Sequence, residues 1–189
     1  MSKIKFIKGP LDGEKVVRAA LEHMHHYKHA PHAVQAADLT QLRVGVHHQI
    51  YDLSPADILA GKGLEAAALS GSRYLVAEGT KSVAAAEVRT DATGKNPAFH
   101  LVNEGPFVSG FEKAVRFAEA LPHKGEYACH LLRIAPLYII ALWLKPTNGT
   151  KDIVIPLEPA PGYLQTREYT PAQFLKAVQP HAHPVDMPA

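Results

Sequence analysis

Residues 126–158 carry the densest apolar patterning in the chain: an almost unbroken apolar run from Tyr127 to Leu144, an Asn148-Gly149 pair, then Ile153-Val154-Ile155-Pro156-Leu157. A run that long exceeds an ordinary strand, and Pro136 lacks the N–H that a central ladder requires. The pattern therefore predicts two strands, or one bent strand, pivoting at Ala135-Pro136. Asn148-Gly149 suits a type I′ turn, which would set Trp143 opposite Val154 and Lys145 opposite Asp152, the second pair exposed beside the turn. Tyr138, Ile140, Leu142 and Leu144 would share one face, and Ile139, Ala141 and Trp143 the other. Both faces are apolar, so both need cover, from the chain's own helices or from a second copy of the chain.

Elsewhere the period changes. Val16, Val17, Ala20, Leu21 and Met24 recur at helical spacing behind Asp12, a suitable N-cap, which predicts a helix over 13–29 ended by Pro31. Residues 30–40 read as a loop or short helix. Leu42, Val44, Val46, His48 and Ile50 alternate with polar or small neighbours and predict a strand over 42–51. Ser54-Pro55-Ala56-Asp57 supplies a cap and a first-position proline for a short helix from 55 to about 60, stopped by Gly61 or Gly63, with a further turn over 64–69.

Residues 73–77 and 81–90 form an expected hairpin at Glu78-Gly79, although Val83-Ala84-Ala85-Ala86 would suit a helix equally well. A polar loop over 91–97 leads to a strand over 98–103, stopped by Gly105-Pro106. Ser109-Gly110-Phe111-Glu112 reads as a capping box opening a helix over about 109–121, with Phe111, Ala114, Val115, Ala118 and Leu121 on one face. Thr170-Pro171-Ala172-Gln173 is a second capping box, with Tyr169 and Phe174 placed as a hydrophobic staple, opening a helix over about 171–179. The whole predicts one α+β domain over 1–179, with a mainly antiparallel sheet of about five to seven strands and three principal helices (N-terminal, central and C-terminal). Residues 180–189 read as a flexible tail.

Charge narrows the partners. Twenty Lys and Arg face 18 Asp and Glu for a net charge of +2. With no basic cluster, the sequence offers nothing that would track nucleic-acid or membrane phosphates. The 12 histidines make charge pH-dependent, so a surface whose association changes between pH 7 and 5 is one functional reading. The longest apolar run is too short to cross a bilayer as a helix, and no secretory signal is apparent, so the expected location is cytoplasmic. A single cysteine, Cys129, excludes an intrachain disulfide and a cysteine-based zinc site.

The richest polar cluster is Glu22-His23-Met24-His25-His26-Tyr27-Lys28-His29, followed by His32. On a helix His25 and His29 lie one turn apart, as do Glu22 and His26, and two imidazoles at that spacing can chelate a divalent metal. Glu22, His25, His26 and His29 also fall opposite Val17 and Met24, which reads more simply as a solvated face. His48 shares an apolar strand face and reads as a core histidine bonded to a backbone carbonyl, with His47 pointing the other way. Cys129 and His130 are strand neighbours on opposite faces, so they cannot act as a nucleophile–base dyad. Glu104, before the central helix, is placed to gain from that helix's dipole. Loop glycines at Gly61-Lys62-Gly63 and Gly79-Thr80-Lys81-Ser82 do not fit a phosphate-loop pattern.

With no complete catalytic constellation, the expected function is non-catalytic binding of an unknown protein or small molecule by a soluble domain, with a homodimer as one way of covering the hairpin. A metal-dependent hydrolase built on the histidine-rich first helix is the alternative.

Overall fold

The computed structural model describes residues 3–27, 30–91, 93, 95–122, 125–148 and 151–183. Its elements run β1 (Lys3–Lys5), α1 (Gly13–His25), α2 (His32–Ala36), β2 (Leu42–Asp52), α3 (Pro55–Leu59), β3 (Ala68–Glu78), β4 (Lys81–Arg89) and β5 (Ala98–Asn103). There follow α4 (Pro106–Ala120), β6 (Glu126–Ile134), β7 (Ile139–Pro146), β8 (Ile153–Pro156) and α5 (Pro171–Val178). The fold is α+β, with a large and mostly antiparallel sheet of eight strands. The strand beyond those expected is β1, whose three residues are too few to show a period; it pairs in parallel with β6. Among the described residues no helix is long and apolar enough to cross a membrane.

The chain forms two compact units, a hairpin unit drawn from residues 1–5, 50–69 and 110–189, and a meander unit drawn from 6–49 and 70–109. In the hairpin unit, β6 and β7 pair antiparallel from Tyr127 opposite Pro146 to Ile134 opposite Ile139. A 3-10 turn at Ala135–Leu137 makes the pivot at Pro136, and Tyr138 closes it in the left-handed region at φ 53°. Tyr138 thus belongs to the turn, 83% exposed, and not to the strand face expected for it. β8 adds to β7 with Trp143 opposite Val154, the register read from the sequence.

One face of this hairpin presents Leu132, Ile134, Ile139, Ala141, Trp143 and Val154 to a core that includes Ile58 of α3, Leu64, and Phe174 and Val178 of α5. Cys129, Leu131, Leu142, Leu144 and Ile155, on alternate positions, are also buried. Both faces are therefore covered within the chain itself.

The helix boundaries follow local chemistry. Ser54 Oγ caps α3 by accepting from Asp57 N at 3.1 Å, and Gly61, at φ 71°, takes the left-handed conformation that ends the helix. The Thr170 capping box opens α5: Gln173 N donates to Thr170 Oγ1 at 3.3 Å and Thr170 N to Gln173 Oε1 at 3.0 Å. The Tyr169 and Phe174 rings meet with centroids 6.3 Å apart, as the staple requires. The chain then continues past Val178 into a 3-10 turn at Gln179–His181, where Ala182 is buried. Ala182 and the His181 ring, stacked on Tyr163 with centroids 3.6 Å apart, thus pack beyond the expected end of the domain, and 184–189 lie outside the described residues.

The capping box expected at Ser109 does not form. α4 starts three residues earlier, because Pro106 is preorganised for a first helical position, and Ser109 Oγ instead donates to Pro106 O at 3.0 Å. α1 ends at His25, short of the expected residue 29. Asp12 occupies its N-cap position in the left-handed region but makes no side-chain cap; Lys15 Nζ donates to its carboxylate at 2.6 Å.

In the meander unit the strand order is β5-β4-β3-β2. The run Val83-Ala84-Ala85-Ala86 is strand: Ala84, Ala85 and Ala86 are fully buried, so tertiary cover overrides helical propensity. Val17 and Leu21 of α1 and Val34 of α2 pack on Tyr74, Val76, Ala84, Ala86 and Val88. Glu104 acts at a different helix from the one expected, its carboxylate accepting from His32 N at 3.1 Å and Ala33 N at 2.7 Å at the start of α2.

Arg73 and Glu87 stand directly opposite in β3 and β4. They form an ion pair at 3.6 Å with 3% and 6% of their side chains exposed. Removing one partner breaks a buried ion pair, so Arg73→Met should destabilise the protein by ~3–5 kcal/mol. In urea denaturation, Lys113→Met, which severs the exposed pair with Glu158, should leave the midpoint nearly unchanged.

Candidate functional site

The alternation of the hairpin places a polar–aromatic row at one end of its apolar face. His130 lies opposite Trp143. Trp143 and Lys145 share a face, being two residues apart in β7. Tyr51 at the end of β2 completes the cluster: its ring lies 5.3 Å from His130 and 5.3 Å from Trp143, both edge-on. Lys145 Nζ sits 3.8 Å above the Trp143 ring and 4.4 Å above the Tyr51 ring, within range of a cation–π attraction to both. Asp152, next in register beyond the Leu144–Ile153 pair, accepts a hydrogen bond from Trp143 Nε1 at 2.8 Å.

A cleft of ≈ 650 Å³ opens over this row. Its other walls are the loop after α3 (Gly61 to Glu65), the exposed side of α5 (Pro171, Ala172, Leu175 and Lys176) and Gln179 just beyond it. The left-handed turn at Gly61 brings Lys62 back over α3, where its Nζ donates to Asp57 Oδ1 at 2.7 Å. Glu65 is likewise committed, accepting from Gly63 N at 3.0 Å. The cleft thus combines apolar walls (Ile58, Leu64, Trp143 and Leu175) with three ammonium groups, Lys62, Lys145 and Lys176, against two carboxylates, Glu65 and Asp152.

Burial pulls the Lys145 ammonium below the ordinary lysine value, and the Asp152 carboxylate opposes that shift. Burial raises the Tyr51 phenol, which stays neutral at physiological pH. Below the row, Arg133 clamps Asp52 through two hydrogen bonds, Nε to Oδ1 at 2.7 Å and Nη2 to Oδ2 at 3.1 Å. That fork ties β6 to the end of β2 immediately beside Tyr51.

The residues singled out by sequence are dispersed. Glu22 and His26 are exposed on or just past α1, while His25 Nδ1 donates to the Val34 carbonyl at 2.9 Å. His26 stands edge-on to His25 with centroids 5.6 Å apart, and His29 lies outside the described residues. Among the described residues, no group of three or more histidine, cysteine, aspartate or glutamate side chains could hold a metal ion. His100 is exposed. Cys129 is fully buried, and that burial pushes its thiol far above the ordinary value, which makes it inert packing. His48 is fully buried, and its neighbour His47 donates from Nδ1 to Ile7 O at 2.8 Å.

Sequence reasoning paired Lys145 with Asp152 but expected both to be exposed, and it missed Tyr51, Lys62 and Lys176. One signal was available: a lone lysine two residues after the only tryptophan, on a face otherwise apolar.

The Lys145 environment sets a pH dependence. An unfolded lysine, with its ordinary value of about 10.4, binds more protons than the folded one once pH exceeds the depressed folded value. Stability therefore rises with pH across that window, and the penalty for the buried charge is fully present at neutral pH. In chemical denaturation between pH 7 and 10.5, the midpoint of wild type should gain on that of Lys145→Met as pH increases.

No protein-family model, curated protein or solved structure gives a significant match to this chain.

Proposed function

We propose that the protein is a non-catalytic small-molecule-binding protein whose hairpin-unit cleft takes an organic anion with a flat apolar body, such as an aromatic carboxylate. The observation that carries this reading is Lys145, held over the Trp143 and Tyr51 rings at 3.8 and 4.4 Å inside the cleft. A partly desolvated ammonium gains strongly from a buried anionic partner, and the nearby Asp152 carboxylate is already engaged by the indole N–H. Cleft volume and chemistry agree with small-ligand sites, which are mostly apolar with a few convergent polar groups. The aromatic and aliphatic walls fit a flat hydrocarbon body, and the partly desolvated Lys145 ammonium fits a negative charge. Lys62, Glu65 and Asp152 at the cleft are each already bonded to a protein partner, which supports a reading of binding without turnover.

Trp143 is the only tryptophan in the chain, so indole emission reports this cleft alone. Titration with benzoate should change that emission saturably, whereas benzamide, the same shape without the charge, should bind at least about tenfold more weakly. Lys145→Gln should weaken benzoate by a similar factor and leave benzamide unaffected. Equal responses to acid and amide would rule the reading out.

A further inference from the structure

A second cleft, of ≈ 570 Å³, lies within the meander unit, between the segment that leads into α1 and the side chains of His47 and Tyr74. Among the described residues, two polar atoms at its wall have no hydrogen-bond partner. His47 is 7% exposed and spends Nδ1–H on the Ile7 carbonyl, which leaves Nε2 a buried lone pair with no donor. Tyr74 is 4% exposed, its ring 4.9 Å from that of His47, and its hydroxyl is likewise without a partner. Such groups are costly in a folded protein, because a buried polar atom without a hydrogen bond forfeits its hydration for nothing.

The segment facing them is Gly9-Pro10-Leu11-Asp12-Gly13, which ends at the N-terminus of the 13-residue helix α1. The Tyr74 hydroxyl abuts both Gly9 and Gly13, where any Cβ would collide with it. Asp12 does not cap α1 with its side chain and Gly13 N is taken by Pro10 O at 3.0 Å, so the Glu14 and Lys15 amides and the positive end of the dipole are what α1 offers an acceptor. Around the opening stand Lys8, Lys15 and Arg18 against Asp12 and Glu14, with Lys15 on Asp12 at 2.6 Å and Arg18 on Glu14 at 3.3 Å.

We propose that this cleft binds hydrogen phosphate, an oxyanion that retains a P–OH at neutral pH. The ligand must satisfy a lone pair and a hydroxyl side by side while carrying negative charge toward a helix N-terminus. Hydrogen phosphate does all three. Its P–OH donates to His47 Nε2 and one bare oxygen accepts from the Tyr74 hydroxyl, both reached by a small outward shift of the Gly9–Gly13 segment that seals them, and the remaining oxygens meet the Glu14 and Lys15 amides of α1. Lys15 and Arg18 are drawn from Asp12 and Glu14 toward the anion, which offsets the repulsion from those two carboxylates. Sulfate has the same shape but no proton to give at neutral pH, so it leaves the His47 lone pair unsatisfied and is rejected.

The test uses the full chain and inorganic phosphate, with sulfate at matched ionic strength, by isothermal titration calorimetry at pH 7.5. Phosphate should bind saturably and at least about tenfold more tightly than sulfate. Tyr74→Phe, which keeps the ring and the fold, should lose about tenfold in phosphate affinity while the preference over sulfate, which rests on His47, persists. The imidazole 15N shift of His47 Nε2 should move toward that of a hydrogen-bonded acceptor on phosphate addition, a readout that needs no mutation. Absence of saturable phosphate binding, equal affinity for sulfate, or a Tyr74→Phe variant with unchanged phosphate affinity would each overturn the proposal. Because Trp143 lies in the other cleft, benzoate titrations are read separately, and failure of either site is distinguishable from failure of the other.

Discussion

The register between β6 and β7 is the constraint on which the hairpin unit depends. Side chains alternate across a strand, so a slip of one residue would exchange every inward for every outward position. With Ile134 opposite Ile139 across the four residues Ala135–Tyr138, His130, Trp143 and Lys145 fall on the face that Tyr51 also reaches, and Cys129 falls on the other. The same register carries Leu132, Ile134, Ile139 and Ala141 into the core under α3 and α5. The cleft is the continuation of that face past the end of its helical cover. Burial of the apolar part of the face holds the polar part in position.

Both units keep polar chemistry where apolar side chains would be easier to bury. In the hairpin unit Lys145 is partly desolvated over two aromatic rings; in the meander unit Arg73 and Glu87 are sealed between strands, and His47 and Tyr74 lie under a glycine-bearing segment. These are not equivalent. Arg73 and Glu87 meet each other across a ladder pair, which neutralises the charge and specifies which residues of β3 and β4 stand opposite. Lys145 answers to a carboxylate already engaged by the indole. His47 is held neutral by burial, which lowers its imidazole below the ordinary value. The Tyr74 phenol is pushed up to about 12 by burial and by the Glu14 carboxylate. A neutral acceptor beside a neutral donor presents hydrogen-bonding capacity without charge, and the charge around it comes from Lys8, Lys15 and Arg18.

Much of the architecture was legible because its causes are local. Pro136 broke an overlong strand where a turn occurs, Ser54 and Thr170 capped the helices that follow them, and the Asn148-Gly149 signal led to the correct Trp143–Val154 pairing. The misreadings have local causes too. Ser109 and Glu112 matched a capping box, but Pro106 had already started the helix. Glu104 was read against the helix next to it in sequence, whereas its carboxylate reaches the start of α2, more than 70 residues back.

The amino-acid sequence by itself determined the α+β class, the turn points, most strand and helix limits and the need to cover both faces of the hairpin, because these depend on residues within a few positions of one another. It also excluded a Cys129–His130 dyad, through the period of two along a strand. Only the tertiary structure decided where polar chemistry gathers. Tyr51 meets Trp143 and Lys145 across more than 90 residues of chain, and Tyr74 meets Gly9 and Gly13 across about 60. Proximity at that range, and the desolvation that shifts Lys145 and Tyr74, arise from packing, which no local pattern encodes. Of the histidines clustered at the end of α1, His23 and His26 are exposed, and the residues that carry the chemistry of the two clefts are single lysines, aromatics and a histidine without a motif between them.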